Sequence, residues 1–332
     1  MEDFQKALDT GDHDRIAEAF RTGQLTIRSA ILLLYHGIEN NLSQGIAFLL
    51  EQGVPATSVQ PRTIAKCHST EILGMLEQAG WPFKEKGHLV LHQVLGNEEV
   101  ASWLLDHGAR LDFPQSEVRD DLKKGEKDGT LALLNQAAAQ GNMAMFDRLV
   151  SLGANPTHSL ALHYAAASAA AADDKRPPES NTADAVIGHL IQQHGFDVDA
   201  EDSCGGLVQL SDFTVSGQEG PPMVRAVFHG NLPAVRALLR HGADAGQKAV
   251  RTAVERDNRA ALEALLEAGG DATYGCCIAA SRAKLDAARV CLRQGADPRA
   301  AVRYDAELAS KSGTHAPMSR AMADLLLDPK SY

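Results

Sequence analysis

One short motif recurs along the chain and constrains its fold more than any other feature. Two apolar residues are followed by two or three polar residues and a glycine, as in LLEQG at Leu49 to Gly53 and LLRHGAD at Leu238 to Asp244. The glycines that close these motifs are at positions 23, 53, 80, 108, 153, 195, 242, 269 and 295. Glycine tolerates the left-handed conformation at a helix C-terminus, so each motif predicts an apolar helix that ends at its glycine.

The intervals between these glycines fall into two classes, a short one near 27 residues and a long one near 45. A second apolar stretch in each interval supplies another helix, so each interval predicts a helical pair. One such pair cannot bury its apolar face alone, and neighbouring pairs must therefore stack. We expect an all-α fold, a helix-turn-helix repeat solenoid of about nine to ten pairs that forms one domain over residues 1–332.

The long intervals contain inserted material, which divides the predicted solenoid into segments. These are the N-terminal repeats 1–112, a charged spacer at 113–129, central repeats with insertions at 130–222, and C-terminal repeats with a cap at 223–332. Insertion 169–182 has two prolines and many polar residues, which favour a flexible loop. Insertion 197–222 has two short β-like stretches that need burial, which predicts an ordered lid or finger with a small hairpin.

Three segments carry a resemblance to a known family. PPMVRAVFHGNLPAVRALLRHGADAG, from Pro221 to Gly246, resembles the consensus of the ankyrin repeat family with its paired helices and closing Gly-Ala-Asp. SLALHYAA, from Ser159 to Ala166, resembles the opening Thr-Pro-Leu-His-x-Ala-Ala of that family, with His163 at the histidine position. The segment that begins at Asp128 resembles the same opening, with Asn135 in that place.

The resemblance covers nearly the whole chain and is strongest over 128–165 and 220–298. The short intervals of 26–28 residues depart from the family unit of about 33 residues. They are too short for a full β-hairpin finger, so tight turns are expected there instead. In this family the histidine at the position of His163 bonds to turn backbone, and we expect that structural role here.

The resemblance also implies where a ligand is bound. The first helix of each pair lines a concave face, and the two residues before the turn are exposed on it. Around Gly230 and Asn231 these are Phe228 and His229, and the equivalent pairs are Ala139-Gln140, Ala167-Ser168, Glu255-Arg256 and Ser281-Arg282. Arg225, one helical turn earlier, and Phe213, in the insertion, complete the candidate binding residues.

This set predicts an aromatic anchor, Phe228, among the cations Arg225, Arg256 and Arg282. Such a surface suits an acidic group or the C-terminal carboxylate of a peptide. The sequence has no phosphate-binding glycine loop, Rossmann fingerprint or Gly-x-Ser-x-Gly motif. We therefore expect a non-enzymatic scaffold that binds a protein or peptide and needs no cofactor.

An alternative hypothesis is an enzyme or small-molecule-binding protein with its site under the insertions 169–182 and 197–222. Such a site would draw on a set of polar residues around these loops: His163, Tyr164, Asp173, Asp174, Cys204, Asp212 and His229. A third hypothesis is a repeat module that belongs to a larger protein. Repeat folds serve many functions, so only a site can distinguish these hypotheses.

Several groups of metal-binding residue types receive structural interpretations, and no metal site is expected. His88 and His92 can share a helix face, but two imidazoles without a third ligand make a poor zinc site. Cys276 and Cys277 point in different directions on one helix, so burial explains them and Cys291 better. His189 and His194 flank a helix end, where a cation interacts favourably with the helix dipole. This position explains both residues without a functional role.

Charge and cysteine content limit the partners and the compartment. The formal net charge of -11 argues against binding to nucleic acid or to anionic membranes. The five cysteines form no common disulfide framework, which favours reduced thiols in the cytoplasm or nucleus. No apolar signal core or membrane span is apparent, and a monomer is expected.

Overall fold

The fold is known from a computed structural model that describes residues 1–111, 129–168, 183–202, 220–311 and 318–327. These ranges contain twenty α-helices and no β-strand, which confirms the all-α prediction. The chain divides into two compact units, Met1–Leu133 (unit 1) and Leu134–Tyr332 (unit 2), with the division inside one helix. Within the described ranges, each helix is too short or too polar to cross a membrane.

Unit 1 is built from helical pairs. Its helices are α1 Glu2–Asp9, α2 His13–Arg21, α3 Ile27–Glu39, α4 Ser43–Glu51, α5 Pro61–Ile64, α6 Thr70–Gln78, α7 Phe83–Val94 and α8 Glu98–Asp106, with a 3-10 turn at Ala56–Ser58. The first helices of successive pairs contact one another in the order α1, α3, α5, α7, and α4, α6 and α8 do the same. Each pair thus covers the apolar side of the next.

Unit 2 repeats this arrangement. Its helices are α9 Gly129–Ala139, which begins in unit 1, α10 Met143–Ser151, α11 Ala161–Ala167, α12 Ala183–His194, α13 Pro222–Phe228, α14 Leu232–Arg240, α15 Gln247–Glu255, α16 Arg259–Glu267, α17 Ala272–Ser281, α18 Leu285–Arg293, α19 Pro298–Lys311 and α20 Arg320–Leu327, with a 3-10 turn at Pro156–His158. The odd-numbered helices from α11 to α19 contact one another in sequence. The even-numbered helices from α12 to α18 form a second contacting series, which α20 joins through α18.

The nine motif glycines end helices as predicted. All nine have positive φ, and each closes the second helix of a pair. At Gly242, where φ is +87°, the amide of Gly242 donates to the carbonyl of Leu239 and the amide of Ala243 donates to that of Leu238. These bonds satisfy carbonyl groups at the end of α14, which explains why glycine is needed there.

The short repeat interval reappears as the spacing of contacts between pairs. In unit 1, Lys66 Nζ lies 2.8 Å from Glu39, 27 residues earlier. In unit 2, Arg282 lies 3.2 Å from Glu255, again 27 residues earlier. Equivalent side chains of successive pairs are therefore neighbours in space, as stacked repeats of this length require.

Several predicted features fall on residues outside the described ranges. These are most of the spacer 113–129, all of insertion 169–182 and the part of 197–222 that spans 203–219. The predicted hairpin and Phe213 lie in this last stretch. The described part of the insertion includes Asp202, which is buried.

Candidate functional site

The predicted binding residues of unit 2 lie at equivalent places in the fold, at the C-terminal ends of the first helices. We call this set the helix-end row; its members are Gln140, Ser168, Phe228, His229, Glu255, Arg256, Ser281 and Arg282, at the ends of α9, α11, α13, α15 and α17. His229, Glu255, Arg256 and Arg282 are exposed, and the other four are half-buried. The structure thus places side chains from five helices along a single row.

Hydrogen bonds connect the neighbouring helix ends that carry the row. The hydroxyl of Ser168 donates to the carbonyl oxygen of Ala139 at 2.5 Å, which joins the ends of α9 and α11. Asn231 donates to the carbonyl oxygen of Ser168 at 2.8 Å, and Asn258 donates to that of Val227 at 3.2 Å. These bonds fix the spacing between successive helix ends, so the row is held by hydrogen bonds from side chains to the main chain as well as by packing.

Phe228 lies at the centre of an aromatic and cationic cluster in this row. The guanidinium carbon of Arg256 lies 4.1 Å from the centroid of the Phe228 ring. The ring of His229 lies 5.4 Å from the same ring in an edge-on arrangement. Burial, together with the positive charges of Arg225 and Arg256, lowers the pKa of His229. His229 is therefore neutral near pH 7, and Arg256 supplies the positive charge at the ring.

The three arginines predicted to surround Phe228 differ in their partners. Arg282 pairs with Glu255, which also accepts from Arg251 Nε at 3.0 Å. No ion pair of Arg256 is found among the described residues, where its guanidinium covers the Phe228 ring. Of the predicted cations, Arg256 best meets the needs of a carboxylate site.

Arg225, the candidate one helical turn before Phe228, is largely buried and paired. Its side chain is 14% exposed and forms an ion pair with the carboxylate of Asp202, whose side chain is 1% exposed. The guanidinium also lies 5.7 Å from the centroid of the Tyr164 ring. Arg225 thus attaches the described end of insertion 197–222 to α11 and α13, a structural role that occupies its charge.

His163 has the geometry of a structural histidine. It is buried, and its Nε2 lies 3.0 Å from the carbonyl oxygen of Ala200. Burial and the nearby Arg225 lower its pKa to about 4, so the ring is neutral at physiological pH and Nε2 donates this bond. Tyr164 has a raised pKa, mainly because of burial. Asp173, Asp174, Cys204 and Asp212 of the alternative catalytic set lie outside the described residues.

The cysteine and histidine groups weighed as metal ligands in the sequence are mainly core residues. Cys276, Cys277 and Cys291 are buried free thiols, and burial raises the pKa of Cys276 and of Cys291 to about 12. His88 is fully buried. Burial of His92, together with the charge of the neighbouring His88, lowers the pKa of His92 to about 4. Such thiols and imidazoles contribute to packing.

One cluster in unit 2 was not anticipated as a site. Nε2 of His189 and Nε2 of His194 lie 2.9 Å and 2.8 Å from the same oxygen, Oδ1 of Asp147. Partial burial raises the pKa of Asp147, but the two imidazoles outweigh this effect and hold the pKa below its usual value. Asp147 is 42 residues from His189 in sequence, so no local spacing reveals the group.

Comparison with known proteins adds no assignment to this geometry. No protein-family model matches the chain, and no curated protein matches it significantly. Functional conclusions therefore depend on the helix-end row and the other described side chains.

Proposed function

We propose that this chain is an ankyrin-type repeat protein that binds a protein or peptide through the helix-end row of unit 2. Paired helices that end at glycine, and contacts between pairs at the repeat interval, support the repeat architecture. The row then corresponds to the concave face of the stack. Binding, without catalysis, is the function that such a surface performs most directly.

The observation that carries the proposal is the stack of Arg256 on Phe228. An aromatic ring supplies a large apolar contact with little conformational freedom to lose, and an adjacent guanidinium binds carboxylates in a forked geometry. The partner we infer therefore presents an apolar side chain next to a carboxylate, either an acidic side chain or a chain terminus. The apolar group contacts Phe228 and the carboxylate pairs with Arg256.

The charges near Arg256 and on the whole chain limit the kind of partner that can bind. Glu255 is adjacent to Arg256 and is neutralised by Arg251 and Arg282, so it does not repel an incoming carboxylate as a free acid would. The overall charge of -11 disfavours nucleic acid as the partner. The four described cysteines are free and buried, which supports a cytoplasmic or nuclear protein, and we include a monomeric state in the proposal.

A displayed peptide library with both free and blocked C-termini tests this proposal. Peptides enriched on the wild-type chain are measured individually against Phe228→Ala and Arg256→Glu. We expect each change to weaken binding by at least about tenfold, because both residues belong to the anchor. Enriched peptides should carry an acidic or terminal carboxylate beside an apolar residue.

Two substitutions on α14 serve as matched controls. Arg236 is exposed and Leu239 is half-buried, so Arg236→Glu and Leu239→Ala repeat the chemical changes away from the helix-end row. Binding should be unaffected by either control. Peptides that retain full affinity for both row variants, or a library that yields no enriched peptide, would contradict the proposed function.

A further inference from the structure

The second helices of unit 2 bring three metal-binding side chains to one point. Asp147 lies on α10, His189 lies on α12, and His194 is the last residue of α12. One ligand atom from each of the three residues lies within 4.8 Å of the other two. We propose that Asp147, His189 and His194 form a binding site for a divalent transition-metal ion such as Zn²⁺.

The chemistry of the three groups fits this class of ion. A set of two imidazole nitrogens and one carboxylate oxygen suits Zn²⁺ and its neighbours better than Ca²⁺ or Mg²⁺, because imidazole is a borderline ligand whereas Ca²⁺ and Mg²⁺ prefer oxygen ligands. Both imidazoles offer the same atom, Nε2, and both point to a single carboxylate oxygen although Asp147 has two. Three ligand atoms that converge from two helices form a chelating set, which isolated surface histidines do not.

The two distances to the carboxylate oxygen need only a small adjustment to hold the ion. Tetrahedral Zn²⁺ with bonds of about 2.0–2.1 Å separates its ligand atoms by about 3.3 Å. The two nitrogen-to-oxygen distances are 2.9 Å and 2.8 Å, so each must lengthen by a few tenths of an ångström. The two Nε2 atoms already lie within 4.8 Å of each other.

The surroundings hold one ligand and leave room for another. The Phe146 ring packs edge-on against His194 at 4.9 Å, which restricts the imidazole. The side chains of His194, His189 and Asp147 are 13%, 28% and 46% exposed, so one side of the cluster faces solvent. Three protein ligands with an open side leave a fourth position for water or for a group of a bound partner.

Hydrogen bonding alone is the competing account of this cluster. In that case both imidazoles carry their proton on Nε2 and donate it to Asp147. In the metal-bound state both Nε2 atoms present a lone pair, and the protons are on Nδ1. The two states therefore differ in the protonation of named atoms, which makes them distinguishable by measurement.

The experiment is a calorimetric titration of the untagged, metal-free full chain with Zn²⁺ alone. We expect one saturable site, and we expect Asp147→Asn and His194→Gln each to weaken binding by at least about tenfold, since each removes one of only three protein ligands. His36→Gln is the matched control. His36 Nε2 lies 2.7 Å from Asp9 Oδ1, and the described part of the chain offers this pair no third ligand, so this change should leave Zn²⁺ binding unaltered.

A second measurement keeps the test independent of the folding of the variants. Long-range proton-nitrogen spectra of the wild-type chain report the state of each imidazole nitrogen. We expect Nε2 of both His189 and His194 to change from a protonated to a metal-bound shift as Zn²⁺ is added. Absence of saturable binding, equal binding by the variants, or unchanged Nε2 shifts at saturation would each overturn the assignment.

Discussion

The side-chain amide of Asn231 donates a hydrogen bond of 2.8 Å to the carbonyl oxygen of Ser168, 63 residues earlier. The same amide donates to the carbonyl oxygen of Ala166 at 3.1 Å. The Asn231 side-chain oxygen meanwhile accepts from the amide of Ala234 and caps α14. One buried residue thus begins its own helix and ties it to the end of α11.

We therefore expect Asn231→Ala to lower the free energy of unfolding of unit 2 by about 2–4 kcal/mol, since it removes a helix cap and two hydrogen bonds to the end of α11. Asn142→Ala is the control, because among the described residues the Asn142 side chain has one hydrogen bond, accepted from the amide of Met145, which caps α10. The Asn142→Ala variant should lose only about 1 kcal/mol of its free energy of unfolding. Urea unfolding followed by circular dichroism measures both, and equal losses would contradict the bridging role.

The low pKa of His163 predicts a dependence of stability on pH. Its folded-state pKa is about 4, against an ordinary value near 6.5, so below pH 6.5 the unfolded chain binds a proton that the folded chain excludes. The free energy of unfolding therefore falls as the pH is lowered from 6.5 towards 4. Above pH 6.5, His163 causes no such loss of stability.

The change His163→Gln removes this titration and retains a donor for Ala200. Between pH 7 and pH 5, we expect the wild type to lose about 2 kcal/mol more than the variant. The measurement is urea unfolding by circular dichroism at both pH values. Fluorescence of Trp81 and Trp103, both in unit 1, serves as an internal reference. Parallel losses in the two proteins would show that His163 does not titrate as inferred.

Gly87 allows a close approach within unit 1. A Cβ at this position would lie 2.7 Å from Cβ of Ala109, whereas a Cβ at Gly74, on α6, would have nothing within 4 Å. We expect Gly87→Ala to destabilise unit 1 by about 1–3 kcal/mol through overpacking. Gly74→Ala should instead stabilise it by about 0.5–1 kcal/mol, because alanine favours the helix.

Tryptophan fluorescence during urea unfolding distinguishes these two glycines, since Trp81 and Trp103 lie 4.3 Å and 5.0 Å from the Phe83 ring at the start of α7. A gain in stability at Gly87 as large as that at Gly74 would mean that the contact with Ala109 does not restrict the site.

Ala283 occupies the left-handed conformation in the turn between α17 and α18, with φ at +55°. This conformation costs an alanine about 1–2 kcal/mol, so Ala283→Gly should raise the free energy of unfolding by roughly 0.5–1 kcal/mol after the added freedom of the unfolded chain is counted. Ala268→Gly is the control, because Ala268 has φ at -82° and gains nothing from glycine. The midpoint temperature of thermal unfolding should rise for Ala283→Gly and fall for Ala268→Gly.

The all-α class of the fold and the positions of the helix ends are predictable from local sequence patterns. Helix termination at glycine is a local property, so the nine glycines predicted nine positive φ values that the structure has. The intervals between glycines likewise predicted successive helical pairs, and contacts such as Arg282 with Glu255 have the short interval of 27 residues. Both inferences needed only residue types and their order.

The pairing of distant polar groups, by contrast, depends on how the helices pack. Arg225 is committed to Asp202, 23 residues earlier, and that pairing depends on where the described end of insertion 197–222 lies against α13. Asp147 meets His189 and His194 because α10 and α12 bring these residues together, although 42 and 47 residues separate them in sequence. Hydrogen bonding and metal binding act over a few ångströms, so chain order alone cannot predict such meetings.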